Sequence, residues 1–121
     1  MSERHLVCRV GDLLPGDFRV ISAGSREVLV VCTGEAKFDA VANTCPHQGA
    51  RLSDGRVERV WRAGDGRRHE GDDRFAVVCP WHNFEFDLAT GCPPYGPPES
   101  CRPRVRRHQV DVEGGDVVVY G

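Results

Sequence analysis

Four residues of this chain have the type and spacing to hold a metal centre: Cys45 and His47 in one segment, Cys79 and His82 in another. The first segment reads Asn43-Thr44-Cys45-Pro46-His47-Gln48-Gly49-Ala50, and the second Cys79-Pro80-Trp81-His82-Asn83-Phe84. Each offers one soft thiolate and one imidazole, close enough in sequence for a tight turn to aim both at one site. Neither segment carries a full charge, so a metal there sits in low-polarity surroundings. In both, a proline follows the cysteine, which removes one backbone N–H and stiffens the turn. Gly49 permits close backbone approach. A structural zinc also accepts two Cys and two His, but its usual fingers pair Cys with Cys and His with His. Burial for packing alone does not account for two matching loops.

Short strands must position these loops. Apolar, β-branched runs over 6–10, 18–23, 27–32, 37–42, 109–112 and 117–120 predict strands, with Gly24-Ser25-Arg26 and Glu113-Gly114-Gly115-Asp116 as hairpin turns. No helix-length window shows a 3.6-residue apolar period. The pattern predicts an all-β fold, a small antiparallel β-sandwich or barrel with no long helix, in a single domain over 1–121. Residues 53–74 form a hydrophilic insertion, possible as a hairpin built from 57–62 and 74–78. Residues 92–98, Cys-Pro-Pro-Tyr-Gly-Pro-Pro, predict an irregular loop, because prolines supply no ladder N–H.

Cys-x-His followed at a distance by Cys-x-x-His resembles the Rieske pattern, in which two His replace two Cys on one iron of a [2Fe–2S] cluster. The likeness runs through residues 42–52 and 77–91, where Cys79-Pro80-Trp81-His82 and Phe86-Asp87-Leu88-Ala89-Thr90-Gly91 are similar to Rieske ferredoxins, and into the closing hairpin over 110–120. The resemblance implies one [2Fe–2S] cluster and cluster-binding loops at 43–52 and 79–84. Cys45 and Cys79 would bind the inner iron as thiolates. His47 and His82 would bind the outer iron, where electrons enter and leave. Thr44, Gln48, Gly49 and Trp81 would cover the cluster.

The function implied is that of a ferredoxin, a one-electron carrier from a flavoprotein reductase to an oxygenase or similar terminal oxidoreductase, with no catalytic site of its own. Rieske oxygenases supply a second metal site from a large downstream domain, and the chain ends at Gly121. The alternative is a non-catalytic small subunit fixed to a large reductase subunit. Leu88-Ala89-Thr90-Gly91 and Glu99-Ser100-Cys101 resemble that of NADH-dependent nitrite reductase. A redox-sensing or structural metal module is the third class. High-potential Rieske proteins place a Ser and a Tyr soon after the second His. Here Asn83, Phe84, Glu85 and Phe86 follow, which implies a low potential. The extra loop disulfide of the respiratory members has no counterpart in Gln48, Ala50 and Trp81.

One departure stands out. Thirty-one residues separate His47 from Cys79, more than the family commonly has. The surplus is polar and lies within 53–74, so it is expected to bulge outward, since lengthening a loop costs little entropy. The other reading is a partner-docking element, and Trp61 is either the insertion's small anchor in the core or an exposed contact.

The remaining features exclude more than they assign. Net charge is −2, with no basic excess for nucleic acid. Residues 76–99 hold Glu85, Asp87 and Glu99 with no Arg or Lys, while Arg102, Arg104, Arg106 and Arg107 follow, a split consistent with a solvated surface or a docking face. No run of apolar residues is long enough to span a membrane, and the N-terminus predicts no signal peptide. A cytoplasmic, reducing setting is therefore expected, in which cysteines are ligands or buried thiols before they are disulfides. Cys8 and Cys32 read as buried thiols, and Cys92 and Cys101 as a pair able to close a disulfide. His5, His69 and His108 read as surface residues, and Asp72-Asp73 as a solvated charge pair.

Overall fold

Residues 28–32, Val-Leu-Val-Val-Cys, are apolar without alternation, the signature of a strand covered on both faces. In the computed structural model, which describes residues 3–46, 49–59, 75–81, 84–93 and 104–120, this run is the centre of β3 (Arg26–Gly34), and every residue from Val28 to Gly34 is buried. Around it lie β1 (Arg4–Arg9), β2 (Phe18–Ala23), β4 (Lys37–Ala42), β8 (Arg107–Glu113) and β9 (Asp116–Tyr120). These six strands form one antiparallel sheet in the order β1-β9-β8-β4-β3-β2. The sheet curls until its two outer strands approach, and the Arg19 guanidinium reaches the Val7 carbonyl at 3.5 Å. A second sheet of three strands, β5 (Arg56–Arg59), β6 (Phe75–Val78) and β7 (Glu85–Asp87), runs in chain order. No α-helix occurs among the described residues. A 3-10 turn at Leu52–Asp54 joins the two sheets. The all-β expectation holds.

The period-2 alternation of β3 divides the interior in two. Val28, Val30 and Cys32 face the barrel core with Val7, Cys8, Leu13, Ala40, Val117 and Val119. Leu29 and Val31 face the other way, into a core with Val41, Cys45, Leu52, Val77, Cys79, Phe86 and Leu88. The second core cements the small sheet to the large one, and both candidate cysteine ligands lie in it.

The hairpins follow their turn chemistry. Ala23 pairs with Arg26 across Gly24-Ser25, with Gly24 at φ +67° in the first turn position, where a II′ turn needs glycine. Gly114 and Gly115 both have positive φ (59° and 84°), as a I′ turn requires. The β3–β4 turn instead puts Ala36 at φ 54°, the one non-glycine residue with positive φ among those described.

Four readings need adjustment. β1 spans Arg4–Arg9 rather than 6–10, and β7 is a strand that the sequence pattern does not flag. The insertion's hairpin is present as β5 paired with β6, from Arg56↔Val78 to Arg59↔Phe75. His108 is not a surface residue. It is buried, because β8 begins two residues earlier than predicted. His108 thus sits opposite Ala40, on the inward face shared with Val110. Its Nδ1 lies 3.3 Å from the Tyr120 carbonyl. Trp61, His69, Asp72-Asp73 and Cys101 fall outside the described residues, as does most of the 92–98 loop.

Candidate metal centre

β4 carries the chain out of the large sheet to Cys45, and β6 carries it out of the small sheet to Cys79. Val41 and Val77, each fully buried, anchor the two strand ends in the same apolar core. Cys45 and Cys79 are each only 1 % exposed and belong to that same cluster.

Both loops close with the same span. The Cys45 N–H donates to the Ala50 carbonyl at 2.8 Å, and the Cys79 N–H donates to the Phe84 carbonyl at 2.8 Å. Each cysteine is thus the first residue of a six-residue loop pinned at its neck, with a histidine inside the span. In the first loop the Gly49 N–H also bonds the Cys45 carbonyl at 2.7 Å, a turn that needs the positive φ (77°) of Gly49. His47 and His82 lie outside the described residues, as do Gln48 and Asn83. Thr44, Gly49 and Trp81 are exposed, Trp81 at 58 %. The structure places both cysteines in one buried apolar cluster, each at the neck of a loop of matching closure. That donor set fits an iron–sulfur cluster, whose inner iron takes thiolates away from water.

Several residues that hold the site in place escaped the motif reading. Asn43 is buried and exchanges two hydrogen bonds with Ser53: Ser53 N–H to Asn43 Oδ1 at 2.7 Å, and Asn43 Nδ2 to Ser53 Oγ at 2.9 Å. Glu27, at the start of β3, accepts a two-pronged contact from Arg51, 3.0 Å at each oxygen. That contact holds the Glu27 carboxyl below the usual carboxylate range and raises Arg51. Gly55 passes so close to β6 that a Cβ there would lie 1.8 Å from the Val78 carbonyl oxygen. The sequence signals were present but weak: an Asn at the end of an apolar strand, and a Gly directly after the 3-10 turn.

The walls of the site are aromatic. Phe84 and Phe86 pack with ring centroids 5.1 Å apart, and Phe86 is fully buried. Asp87 is also buried, and its Oδ1 accepts the Ala89 N–H at 2.9 Å within the turn that ends at Gly91. Nearby Asp39 is pushed up by burial, an effect opposed by Arg107, whose guanidinium lies 3.2 Å away. Of the other cysteines, Cys8 and Cys32 are buried thiols held above their usual pKa by burial. Cys92 is disulfide-bonded.

The profile of the Rieske [2Fe-2S] domain family matches residues 3–108. The chain belongs to that family. Its cofactor is accordingly one [2Fe–2S] cluster. Ferredoxin CarAc of Metapseudomonas resinovorans is 30% identical over 115 residues, covering 95% of this chain and 91% of that protein. A solved complex of reduced oxygenase and oxidized ferredoxin in carbazole 1,9a-dioxygenase contains a chain that superposes with a TM-score of 0.72. It is 29% identical and covers 98% of this chain and 93% of that one. Apoptosis-inducing factor 3 of mouse and human is 36% identical over 85 residues, and the chain spans 11% of its length. A candidate NADH-dependent nitrite reductase small subunit from Mycobacterium tuberculosis, 22% identical with a TM-score of 0.73 over 100% of this chain and 96% of that one, shares the fold. Among the described residues no helix is long and apolar enough to cross a membrane.

Proposed function

We propose that this chain is a Rieske ferredoxin that carries one electron at a time from a flavoprotein reductase to an oxygenase or similar terminal oxidoreductase. The whole of 1–121 acts as one Rieske domain. Loops 43–52 and 79–84 bind the cluster, and 53–74 is a polar insertion. Cys45 and Cys79 ligate one iron, and His47 and His82 the other. The observation that carries this reading is the pair of buried thiols on two loops with identical six-residue closures, set in one apolar core. The likeness to CarAc over nearly both full lengths supports the carrier role. When bound, the cluster takes up and releases a single electron. The protein's own part is to keep water from the thiols with Leu52, Val77, Phe86 and Leu88, and to present the exposed edge of the loops, including Trp81, to a redox partner. A cytoplasmic setting, in which thiols stay reduced, suits the buried thiols Cys8 and Cys32, while the disulfide at Cys92 weighs against it. Fractionation of source cells tests that point.

The test begins with purification under low oxygen. The protein should be red-brown, contain iron and acid-labile sulfide in equal amounts, and give on reduction the EPR signal of a cluster with mixed nitrogen and sulfur ligands. Cys45→Ser and Cys79→Ser should each lose the cluster, while His47→Cys and His82→Cys should change the EPR signal towards an all-cysteine type. A colourless protein holding zinc would refute the reading. Reduction by NADH through an oxygenase-type flavoprotein reductase supports the carrier role. Co-elution with a large sirohaem-type subunit would favour the alternative small-subunit role instead.

A further inference from the structure

The two cluster loops are held at their necks by different means. In the second loop the flanking residues are themselves strand partners, Val78↔Glu85 in the β6–β7 ladder, so the sheet closes the neck. The first loop has no such ladder. It leaves β4 at Ala42 and enters the 3-10 turn at Leu52, and the strands on either side, β4 and β5, belong to different sheets. Asn43 and Ser53 lie further out on the two arms of the loop, two residues before Cys45 and three after Ala50, where the described residues show no ladder pair. They exchange one hydrogen bond in each direction, at 2.7 and 2.9 Å, the pattern two strand residues make through their backbones. The Asn43 N–H is tied in turn to the Glu27 carbonyl on β3 at 3.0 Å.

We propose that Asn43 and Ser53 form a clasp that substitutes for a strand ladder and acts as the positioning element of the first cluster loop. The clasp fixes where Cys45 presents its sulfur and so sets the cluster's geometry and reduction potential. This inference rests on the reading of Cys45 as a ligand. The nearby Glu27–Arg51 contact is a weaker brace, because both side chains are about half exposed (42 % and 54 %) and such pairs contribute little in water. Asn43 is 1 % exposed, and its side chain makes both halves of the clasp, so Asn43→Ala removes both bonds. Ser53→Ala removes only the Oγ acceptor, leaving the Ser53 N–H bond and a 3.5 Å contact from Asn43 Nδ2 to Glu27 Oε1. Groups that orient metal ligands from outside the first coordination sphere commonly change metal affinity by about ten- to a hundredfold.

The experiment compares cluster-loaded wild type with Ser53→Ala, Ser53→Thr and Asn43→Ala, and with Val119→Ala as a control that opens a cavity in the distant barrel core. The readouts are midpoint potential, the EPR g values, visible circular dichroism and the rate of iron loss to a chelator. Asn43→Ala should shift the midpoint and the g values and lose iron about ten- to a hundredfold faster. Ser53→Ala, which keeps the Ser53 N–H bond, should shift them the same way by less. Ser53→Thr should restore wild-type behaviour. Val119→Ala should lower stability and leave spectra and midpoint unchanged. If Asn43→Ala does not fold, Ser53→Ala decides alone. Wild-type midpoint and spectra in Ser53→Ala would overturn the proposal, as would an equal shift in Val119→Ala. A Cys45→Ser protein that takes up iron and sulfide and keeps a wild-type cluster would overturn the ligand reading instead, a result the Ser53 variants cannot produce.

Discussion

Gly55→Ala tests how the two cluster loops are held against each other. A methyl group at this position would lie 1.8 Å from the Val78 carbonyl oxygen, 3.0 Å from its carbon and 3.2 Å from Pro80 Cδ. Real Cβ atoms essentially never come within 3.0 Å of another heavy atom, so the backbone must part by more than an ångström. Neither side yields cheaply. Val78 is buried and paired with Arg56, and Pro80 directly follows Cys79. Overpacking of this kind costs about 1–3 kcal/mol, and loss of the adjoining ladder hydrogen bond adds about 1 kcal/mol. A total near 3 kcal/mol corresponds to a fall of roughly 12 °C in melting temperature for a chain of this size. Because the strain falls on the residues flanking Cys79, cluster occupancy should drop as well. Gly11→Ala is the matched control, as nothing lies within 4 Å of a Cβ there, and it should melt within about 2 °C of wild type. Thermal unfolding followed by far-ultraviolet circular dichroism, with iron assayed in parallel, checks both. A Gly55→Ala protein that melts like wild type and keeps its iron would refute the argument.

Ala36→Gly should stabilise the protein by up to about 1 kcal/mol in chemical denaturation, since relief of the left-handed strain at φ 54° outweighs the added freedom of the unfolded chain. Glu27 has a folded pKa below its unfolded value, so its contribution is full above the unfolded pKa and is lost as pH falls through the depressed one. Glu27→Gln should therefore flatten the acid limb of the stability–pH profile, with a smaller difference at high salt. Replacing residues 60–72 by a short Gly-containing turn should leave the cluster spectrum intact. The cut must start after Arg59, because Glu58 and Arg59 pair with Ala76 and Phe75 in the ladder. The reduction potential should lie near the low end of the Rieske range of about −150 to +300 mV, because the aromatic walls Phe84 and Phe86 donate no hydrogen bond to the sulfurs. Protein-film voltammetry giving a midpoint above about +100 mV, in the upper part of that range, would contradict this.

What the sequence determined by itself was whatever depends on local pattern. Strand periodicity and turn glycines located β2 and β4 to the residue and both glycine hairpins, because side-chain alternation and positive φ are properties of a few consecutive residues. The two Cys/His segments announced a cluster for the same reason, since each places its donors within one turn. The tertiary structure decided the rest. That Cys45 and Cys79 share one dry core depends on packing the small sheet against Leu29 and Val31, a contact across strands far apart in the chain. His108 read as a surface residue because the apolar pattern starts after it. Its burial comes from the pairing of β8 with β4, which the sequence does not show and which sets it opposite Ala40 on the face it shares with Val110. Asn43, Ser53 and Gly55 carry no motif. Their roles arise only when the end of β4, the 3-10 turn and β6 meet in space, where hydrogen bonds and a close backbone approach link residues that the sequence keeps apart.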